Sequence, residues 1–163
     1  MMVTCLTEWT VRVDVDAGLR GQGADPEIVR RRSPLLVERT EALLPEAGAL
    51  LRPQVFYREF AVAGRRDGHI LLDSGSLACG PRVTDCLGSA QVLVVVVCTV
   101  GPQLEDRVNE MIAKQPLDAV ILDGIGNASV EALGNEAIRH FGDVGECGAE
   151  SVGRGRSGLR RFR

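Results

Sequence analysis

Four polar side chains recur every four residues in the last third of the chain: Asp123, Asn127, Glu131 and Asn135. On an α-helix this spacing places all four on one face, where they form a single polar stripe. The stripe has two interpretations. It is either a solvent-facing ridge, which composition alone favours, or the wall of a cleft whose oxygen atoms accept hydrogen bonds or hold a cation.

A second pattern that could bind a ligand overlaps this stripe. The segment "ILDGIGNAS", residues 121–129, contains Gly-x-Gly, which is the outline of a dinucleotide-binding turn. No third glycine stands in place, and no second strand with a ribose-binding acid follows. A continuous helix whose small residues let another backbone approach closely explains the segment better. A nucleotide-dependent enzyme is therefore the least favoured function.

The cysteines and histidines form no catalytic or metal-binding pattern. Neither His69 nor His140 is paired in sequence with a cysteine, and no Cys-x-x-Cys occurs. The sequence therefore predicts no metal site, no catalytic residue and reduced thiols, with Cys98 as a small core residue. The five cysteines are irregularly spaced: Cys5, Cys79, Cys86, Cys98 and Cys147.

The elements that must position the stripe predict an α+β fold. Apolar residues at helical spacing indicate long helices over 34–50 and 116–141. Two apolar stretches separated by a polar, glycine-containing turn indicate a β-hairpin over 54–72. The valine-rich segment 91–98 is typical of a strand buried on both faces. We therefore expect a mostly antiparallel sheet packed by the two helices.

Shorter segments give further expectations. "TVRVDV", residues 10–15, alternates like a half-buried strand, and "GLRGQG", residues 18–23, is typical of a loop. A proline follows Asp25 and Ser33, which indicates two helix starts. A short helix is expected over 80–88.

The valine-rich strand ends at Thr99, Gly101 and Pro102. Thr99 is expected to place its hydroxyl over the first amides of the next helix, while Gly101 permits a tight turn. Pro102 suits an early helical position. The trio is therefore interpreted as a strand-to-helix corner with its own cap.

Composition limits the classes of function. A chain of 163 residues that is 45% hydrophobic and 25% charged is large enough for one folded domain. Its net charge of −3 and the absence of a long apolar segment argue against nucleic-acid and membrane partners, although the last ten residues, "RGRSGLRRFR", are strongly basic. The N-terminus lacks the features of a signal peptide, so a cytoplasmic location is expected.

Several segments together resemble a known family. They are "RPQVFYREFAV", "HILL", "VTDCLGSAQVLVVVVCTVGPQLEDRV" and "LDAVILDGIGNASVEALGNEAI", in this order. They resemble the activation (reactivation) domain of vitamin B12-dependent methionine synthase, particularly its small stand-alone forms. The resemblance covers roughly residues 8 to 163, and "CTVGPQLE" and "ILDGIGNASVEAL" are its most specific stretches.

The resemblance implies a function in methyl transfer. In this family the domain binds S-adenosylmethionine and docks over a cobalamin-binding domain, so that oxidised cobalamin can be reduced by a flavodoxin-type donor and remethylated. The partners implied are therefore a cobalamin-binding domain or corrinoid methyltransferase and a flavodoxin-type or other reductant. The chain would be an accessory module rather than an enzyme by itself.

The resemblance also implies ligand-binding residues. Glu131 in "SVEAL" matches the family's helix glutamate, and Arg161 in "RRFR" matches the arginine that opens an Arg-x-x-Pro-Gly-Tyr motif. A carboxylate suits the ligand's sulfonium and amino groups, and a guanidinium suits its carboxylate. Asn127 and Asp123, on the same stripe, complete the expected set of S-adenosylmethionine contacts.

The sequence departs from the family pattern near its end. The given sequence ends at Arg163, two residues after Arg161, so the Pro-Gly-Tyr part of the family motif is not in it. No aspartate near the N-terminus clearly matches the acidic ligand residue of the family. A single, C-terminally incomplete activation-like domain over 1–163 is therefore expected, with exposed apolar surface and an unpaired strand edge at 157–163. The alternative function is a non-catalytic ligand- or protein-binding scaffold that has lost S-adenosylmethionine binding through truncation.

Overall fold

A computed structural model describes residues 2–66, 69–78, 90–144, 151–152 and 159–162. The fold is α+β, as expected from the sequence. The helices are α1 Val15–Gly21, α2 Pro26–Arg32, α3 Pro34–Leu50, α4 Gln103–Met111 and α5 Pro116–Val144. The strands are β1 Thr4–Leu6, β2 Gln54–Arg66, β3 His69–Leu72, β4 Gly75–Ala78, β5 Val92–Thr99, β6 Ser151–Val152 and β7 Leu159–Phe162.

The chain forms two compact units, each built from separate segments. The sheet unit comprises Met1–Leu6, Val55–Val97 and Asn135–Arg163. The helical unit comprises Thr7–Gln54 and Cys98–Gly134. Most of the strands therefore belong to the first unit, and α1 to α4 with the first part of α5 belong to the second.

The sheet is antiparallel at the pairings defined by the described residues. Its strand order is β4-β3-β2-β5-β7-β6, and β1 pairs with β2. The predicted hairpin is confirmed: β2 and β3 pair antiparallel, with Arg66 opposite His69. The register of this pair shifts between Val62 and Gly64, where the strand carries an irregularity.

Strand β5 confirms the predicted valine-rich strand but not its burial on both faces. Leu93 and Val94 are buried, whereas Val95 and Val97 are 37% and 58% exposed. Past Val94 the strand is therefore covered on one face only. A β-branched run favours a strand by its fit to a pleated surface, and it does not by itself show that both faces are covered.

The N-terminal predictions were partly wrong. Residues 10–14 form no strand, because α1 begins at Val15 with Asp14 as its N-cap, whose Oδ1 accepts a hydrogen bond from Ala17 N at 2.8 Å. The predicted glycine-rich loop begins inside a helix, since Gly18 to Gly21 belong to α1. Those glycines serve helix packing, as described below.

Both proline-marked helix starts are confirmed. Asp25 caps α2, and its Oδ1 accepts hydrogen bonds from Glu27 N at 2.9 Å and Ile28 N at 3.4 Å. Helix α3 begins at Pro34, although Ser33 makes no capping hydrogen bond with its side chain. The long helices over 34–50 and 116–141 are also confirmed, and the second continues to Val144. The helix expected over 80–88 lies outside the described residues.

The corner after β5 is a tight turn without the predicted helix cap. Gly101 has φ +85°, a conformation that favours glycine. The Thr99 hydroxyl accepts a hydrogen bond from Gly101 N at 3.1 Å, so it stabilises the turn rather than the helix. Pro102 is the N-cap position of α4, with no side-chain capping bond. The corner is structural.

Each unit has its own apolar core. In the helical unit, buried residues from α3, α4 and α5 pack together, including Leu43, Leu104 and Ile125. In the sheet unit, Ile70 and Leu93 are buried among partly buried neighbours: Phe60, Val62, Leu72 and Leu77. Among the described residues, no helix has the length and apolar character needed to cross a bilayer.

Candidate functional site

Helix α5 is held against α1 by direct contact between their backbones. A methyl group on Gly21 would overlap the carbonyl oxygen of Gly124 and would lie 3.1 Å from Ala128 N. A methyl group on Gly18 would lie 3.2 Å from Thr40 Cγ2. The small residues of "DGIGNAS" therefore permit the close approach that the sequence predicted, and the partner is α1.

The buried side of α5 fixes which residues face outward. Ile121, Leu122 and Ile125 are almost fully buried, and the buried Ser129 hydroxyl donates to Ile125 O at 2.7 Å. From Ile121 to Ser129 the buried face of α5 is thus apolar, except for the Ser129 hydroxyl, whose hydrogen bond lies within the helix. Residues on the opposite side of the helix are left available to solvent and to ligands.

The predicted polar stripe lies on that outer side. The four side chains are exposed: Asp123, Asn127, Glu131 and Asn135. Asn127 Nδ2 donates a hydrogen bond to Asp123 Oδ2 at 3.2 Å, so the structure brings these two predicted ligand residues together. Glu131 follows one turn later, as helical spacing requires.

Two of the four stripe residues are acidic, and the next residue at the same spacing, Arg139, pairs with Glu136 rather than with either of them. Within the described part of the chain, neither Asp123 nor Glu131 forms an ion pair with a lysine, arginine or histidine. Helical neighbours of Glu131 are uncharged: Asn127, Ala128, Gly134 and Asn135. Two uncompensated carboxylates and an amide favour a cationic group that can also donate hydrogen bonds.

The start of α5 is anchored by an ion pair that is buried on the aspartate side only. Asp118 is 5% exposed and accepts two hydrogen bonds of 2.7 Å from Arg39, one from Nε and one from Nη2, whereas Arg39 is half exposed. This fork geometry joins α3 to α5. Hydrogen bonding and the attraction of the Asp118 charge raise the pKa of Arg39 above its usual value. The ion pair fixes the rotation of α5, and hence the direction of the stripe.

A second pair joins α3 to α4. Arg107 Nε donates to Glu46 Oε1 at 2.7 Å, and Arg107 also contacts Glu110 at 3.4 Å. The hydrogen bond to Glu46 raises the pKa of Arg107 above its usual value. Arg107, Glu46 and Glu110 pair with one another, so we assign these three charged side chains a structural role rather than a role in ligand binding.

Arg161, the predicted partner of Glu131 in ligand binding, lies on β7 opposite Leu93. It belongs to the sheet unit, whereas Glu131 belongs to the helical unit. The expected unpaired edge at 157–163 was wrong for Leu159 and Arg160, because β7 pairs with β5 and, at these two residues, also with β6.

The remaining chemistry-bearing residues do not converge. Cys5 is exposed, and Cys98, predicted as a small core residue, is half-buried. Burial raises the pKa of the Cys98 thiol, which lowers its reactivity at neutral pH. No cluster of three His, Cys, Asp or Glu side chains occurs in the residues the structure describes.

Sequence reasoning missed an open surface cavity of about 710 Å³ beside α1 and α2. Its charged residues are largely engaged: Asp25 caps α2, and Asp16 pairs with Arg30. Hydrogen bonding to Asp16 is the main cause that raises the pKa of Arg30. The Asp-Pro helix start was visible in the sequence, but the cavity depends on how two short helices pack.

No protein-family model matches the chain, and no curated protein matches it in sequence.

Proposed function

We propose that this chain is an activation module that binds S-adenosylmethionine and supports reductive remethylation of cobalamin in a methionine synthase or a related corrinoid methyltransferase. Cobalamin would be carried by the partner domain or protein, and a flavodoxin-type or other reductant would supply the electron. The chain would bind and orient the methyl donor, and it would not catalyse the reaction alone. The fold proposed is that of the methionine synthase activation domain.

The first support is the sequence resemblance itself. Its four segments fall on most of β2, on β3, on β5 with the corner that leads to α4, and on most of α5, in an α+β fold. The two most specific stretches are "CTVGPQLE", at the corner, and "ILDGIGNASVEAL", on the long helix. The first stretch contains the tight turn at Gly101, and the second contains the helix surface on which we propose that the ligand binds.

The observation that carries the proposal is the uncompensated acidic stripe of α5. S-adenosylmethionine has a sulfonium and an ammonium group, and Glu131 and Asp123 offer two exposed carboxylates without a basic partner in the described residues. Asn127, already hydrogen-bonded to Asp123, adds an amide between them. For Arg161 the support is the resemblance alone, which assigns to it the ligand's carboxylate, because a guanidinium presents paired donors to a planar anion.

Calorimetry with S-adenosylmethionine tests the proposal on this chain and on one extended through the downstream reading frame. Glu131→Gln should weaken binding about tenfold or more, because it removes a hydrogen bond to a charged group. It should not alter thermal unfolding, since Glu131 is exposed. Glu136→Gln, five residues further along α5 and off the stripe, is the matched control and should bind like the unchanged chain.

Each outcome separates the functions under consideration. Binding by both chains supports the activation module, and binding by the extended chain alone supports an incomplete one. If neither chain binds the ligand but the protein still associates with a corrinoid protein, the scaffold without S-adenosylmethionine binding is correct. If Glu131→Gln and Glu136→Gln bind S-adenosylmethionine with equal affinity, the stripe is a solvent-facing ridge and not part of a ligand site.

A further inference from the structure

The junction of α2 and α3 exposes an unusual combination of side chains. Leu35 is 70% exposed and Ile28 is 52% exposed. Arg31 and Arg32, in the last turn of α2, are also exposed. We call these four residues, Ile28, Arg31, Arg32 and Leu35, the α2–α3 corner. Single exposed apolar residues are common, but two of them close in sequence to two exposed arginines make this segment a candidate contact surface.

Three of the four side chains share one helix face. Arg31 and Arg32 follow Ile28 by three and four residues, so they lie on its side of α2. The chain then breaks at Ser33, whose φ of −146° and ψ of 62° end α2 before Pro34 begins α3. Leu35 is exposed in the first turn of α3, directly after this break. The corner thus combines the last turn of α2 with the first turn of α3.

The charges of the corner point outward. Arg31 contacts Glu27 at 3.4 Å, with side chains 78% and 81% exposed, and such a pair contributes little and is screened by salt. Arg32 forms no ion pair within the described residues. Arg30 is different, because it pairs with Asp16. Two guanidinium groups are therefore available to an external anion.

We propose that the α2–α3 corner docks an acidic surface of a partner protein. Arginine is enriched in protein interfaces, whose buried centre is more apolar than the rest of the surface, and arginine binds carboxylates in a fixed, paired geometry. Ile28 and Leu35 would fill apolar positions of the partner, and Arg31 and Arg32 would pair with its carboxylates. This surface uses none of the residues of the proposed ligand site.

A membrane fits the corner less well than a protein does. Helix α2 has seven residues, which is about 10 Å of helix. Helices that lie in a membrane interface bury a long apolar face, and here only two apolar side chains are exposed.

Fluorescence anisotropy with a labelled amphipathic helical peptide of glutamate and leucine tests the proposal on the full chain. The peptide should bind, and its affinity should fall as salt is added. The double change Arg31→Glu and Arg32→Glu should weaken binding about tenfold or more, and Leu35→Ser should weaken it about threefold. Melting temperatures should not change, since all three side chains are exposed.

Matched controls separate docking from general attraction to a charged protein. The double change Arg12→Glu and Arg139→Glu alters net charge equally at exposed positions elsewhere and should leave binding unchanged. A peptide of lysine and leucine should bind worse than the acidic one. The proposal is overturned by absence of binding, by an equal loss in the control variant, or by binding to phosphatidylserine vesicles without binding to the acidic peptide.

Discussion

The α1–α5 contact of the helical unit and the core of the sheet unit pack in opposite ways. In the helical unit, α1 meets α5 where side chains are missing, at Gly21 and Gly124. In the sheet unit, the core is built from large side chains such as Ile70 and Leu93, and it leaves Val97 exposed on the same strand as Leu93. The α1–α5 contact is therefore sensitive to added atoms, and the core of the sheet unit to removed atoms.

This difference shows that a residue type has no fixed structural meaning. A glycine in a helix ordinarily weakens it, because glycine loses more backbone entropy on folding than alanine does. At Gly21 the missing side chain is itself the contact, so the intrinsic cost is outweighed by packing against Gly124 and Ala128. A valine likewise contributes strongly only where its strand is covered.

The largest expected effect is at the α1–α5 contact. Gly21→Ala should lower the free energy of unfolding by about 3 kcal/mol, because the added methyl group would overlap a backbone carbonyl that cannot rotate away. Gly134→Ala, in the same helix as Gly124, is the matched control, since a methyl group there meets no atom within 4 Å. It should raise the free energy of unfolding by about 0.5–1 kcal/mol through helix propensity.

Urea unfolding of both variants measures this difference. If Gly21→Ala unfolds like the unchanged chain, the backbone contact between α1 and α5 is not present in solution. A gain in both variants would mean that helix propensity alone decides the stability of these positions.

A smaller effect is expected within the sheet unit, on strand β5. Val94 is 3% exposed and Val97 is 58% exposed. Val94→Ala should lower the free energy of unfolding by about 2 kcal/mol through lost burial, and Val97→Ala by less than about 1 kcal/mol through strand propensity. Urea unfolding is again the measurement. Equal losses would show that both faces of β5 are covered in solution, as the valine run alone suggested.

The elements that the sequence predicted correctly are those with repeated local signals. Helix α3 and helix α5 show apolar residues at helical spacing, and α2 has an Asp-Pro start. The β2–β3 hairpin has two apolar segments around a polar turn. In each case the information lies within the element itself.

The incorrect predictions concern partners distant in sequence. Gly18 and Gly21 were interpreted as loop residues because their contacts, Thr40 and Gly124, belong to other helices. Thr99 was expected to cap α4, but its hydroxyl accepts from Gly101, since the tight turn brings that amide closer. No local pattern distinguishes a glycine that permits a turn from one that permits a helix contact.

The candidate site divides in the same way. Four-residue spacing correctly predicted that Asp123, Asn127 and Glu131 share one face, because helix geometry is local. The Arg39–Asp118 pair, which fixes the rotation of that face, joins two helices and could not be predicted from either one. The contribution of Arg161 depends on the resemblance alone, so it stays a prediction.

The smallest expected effect compares one cysteine from each unit. Cys5, in the sheet unit, is exposed, and Cys98, in the helical unit, is half-buried with a raised pKa because burial disfavours its thiolate. The thiolate is the form that reacts with iodoacetamide, so Cys5 should be alkylated faster near the ordinary thiol pKa of about 8.5.

Because the folded pKa of Cys98 lies above its unfolded value, its contribution to stability is fully present below the unfolded pKa. That contribution is lost as pH rises through the folded pKa. Mass spectrometry of the alkylated peptides gives the two rates, and Cys98→Ala should flatten the alkaline loss of stability; equal alkylation rates would mean that Cys98 is as accessible in solution as Cys5.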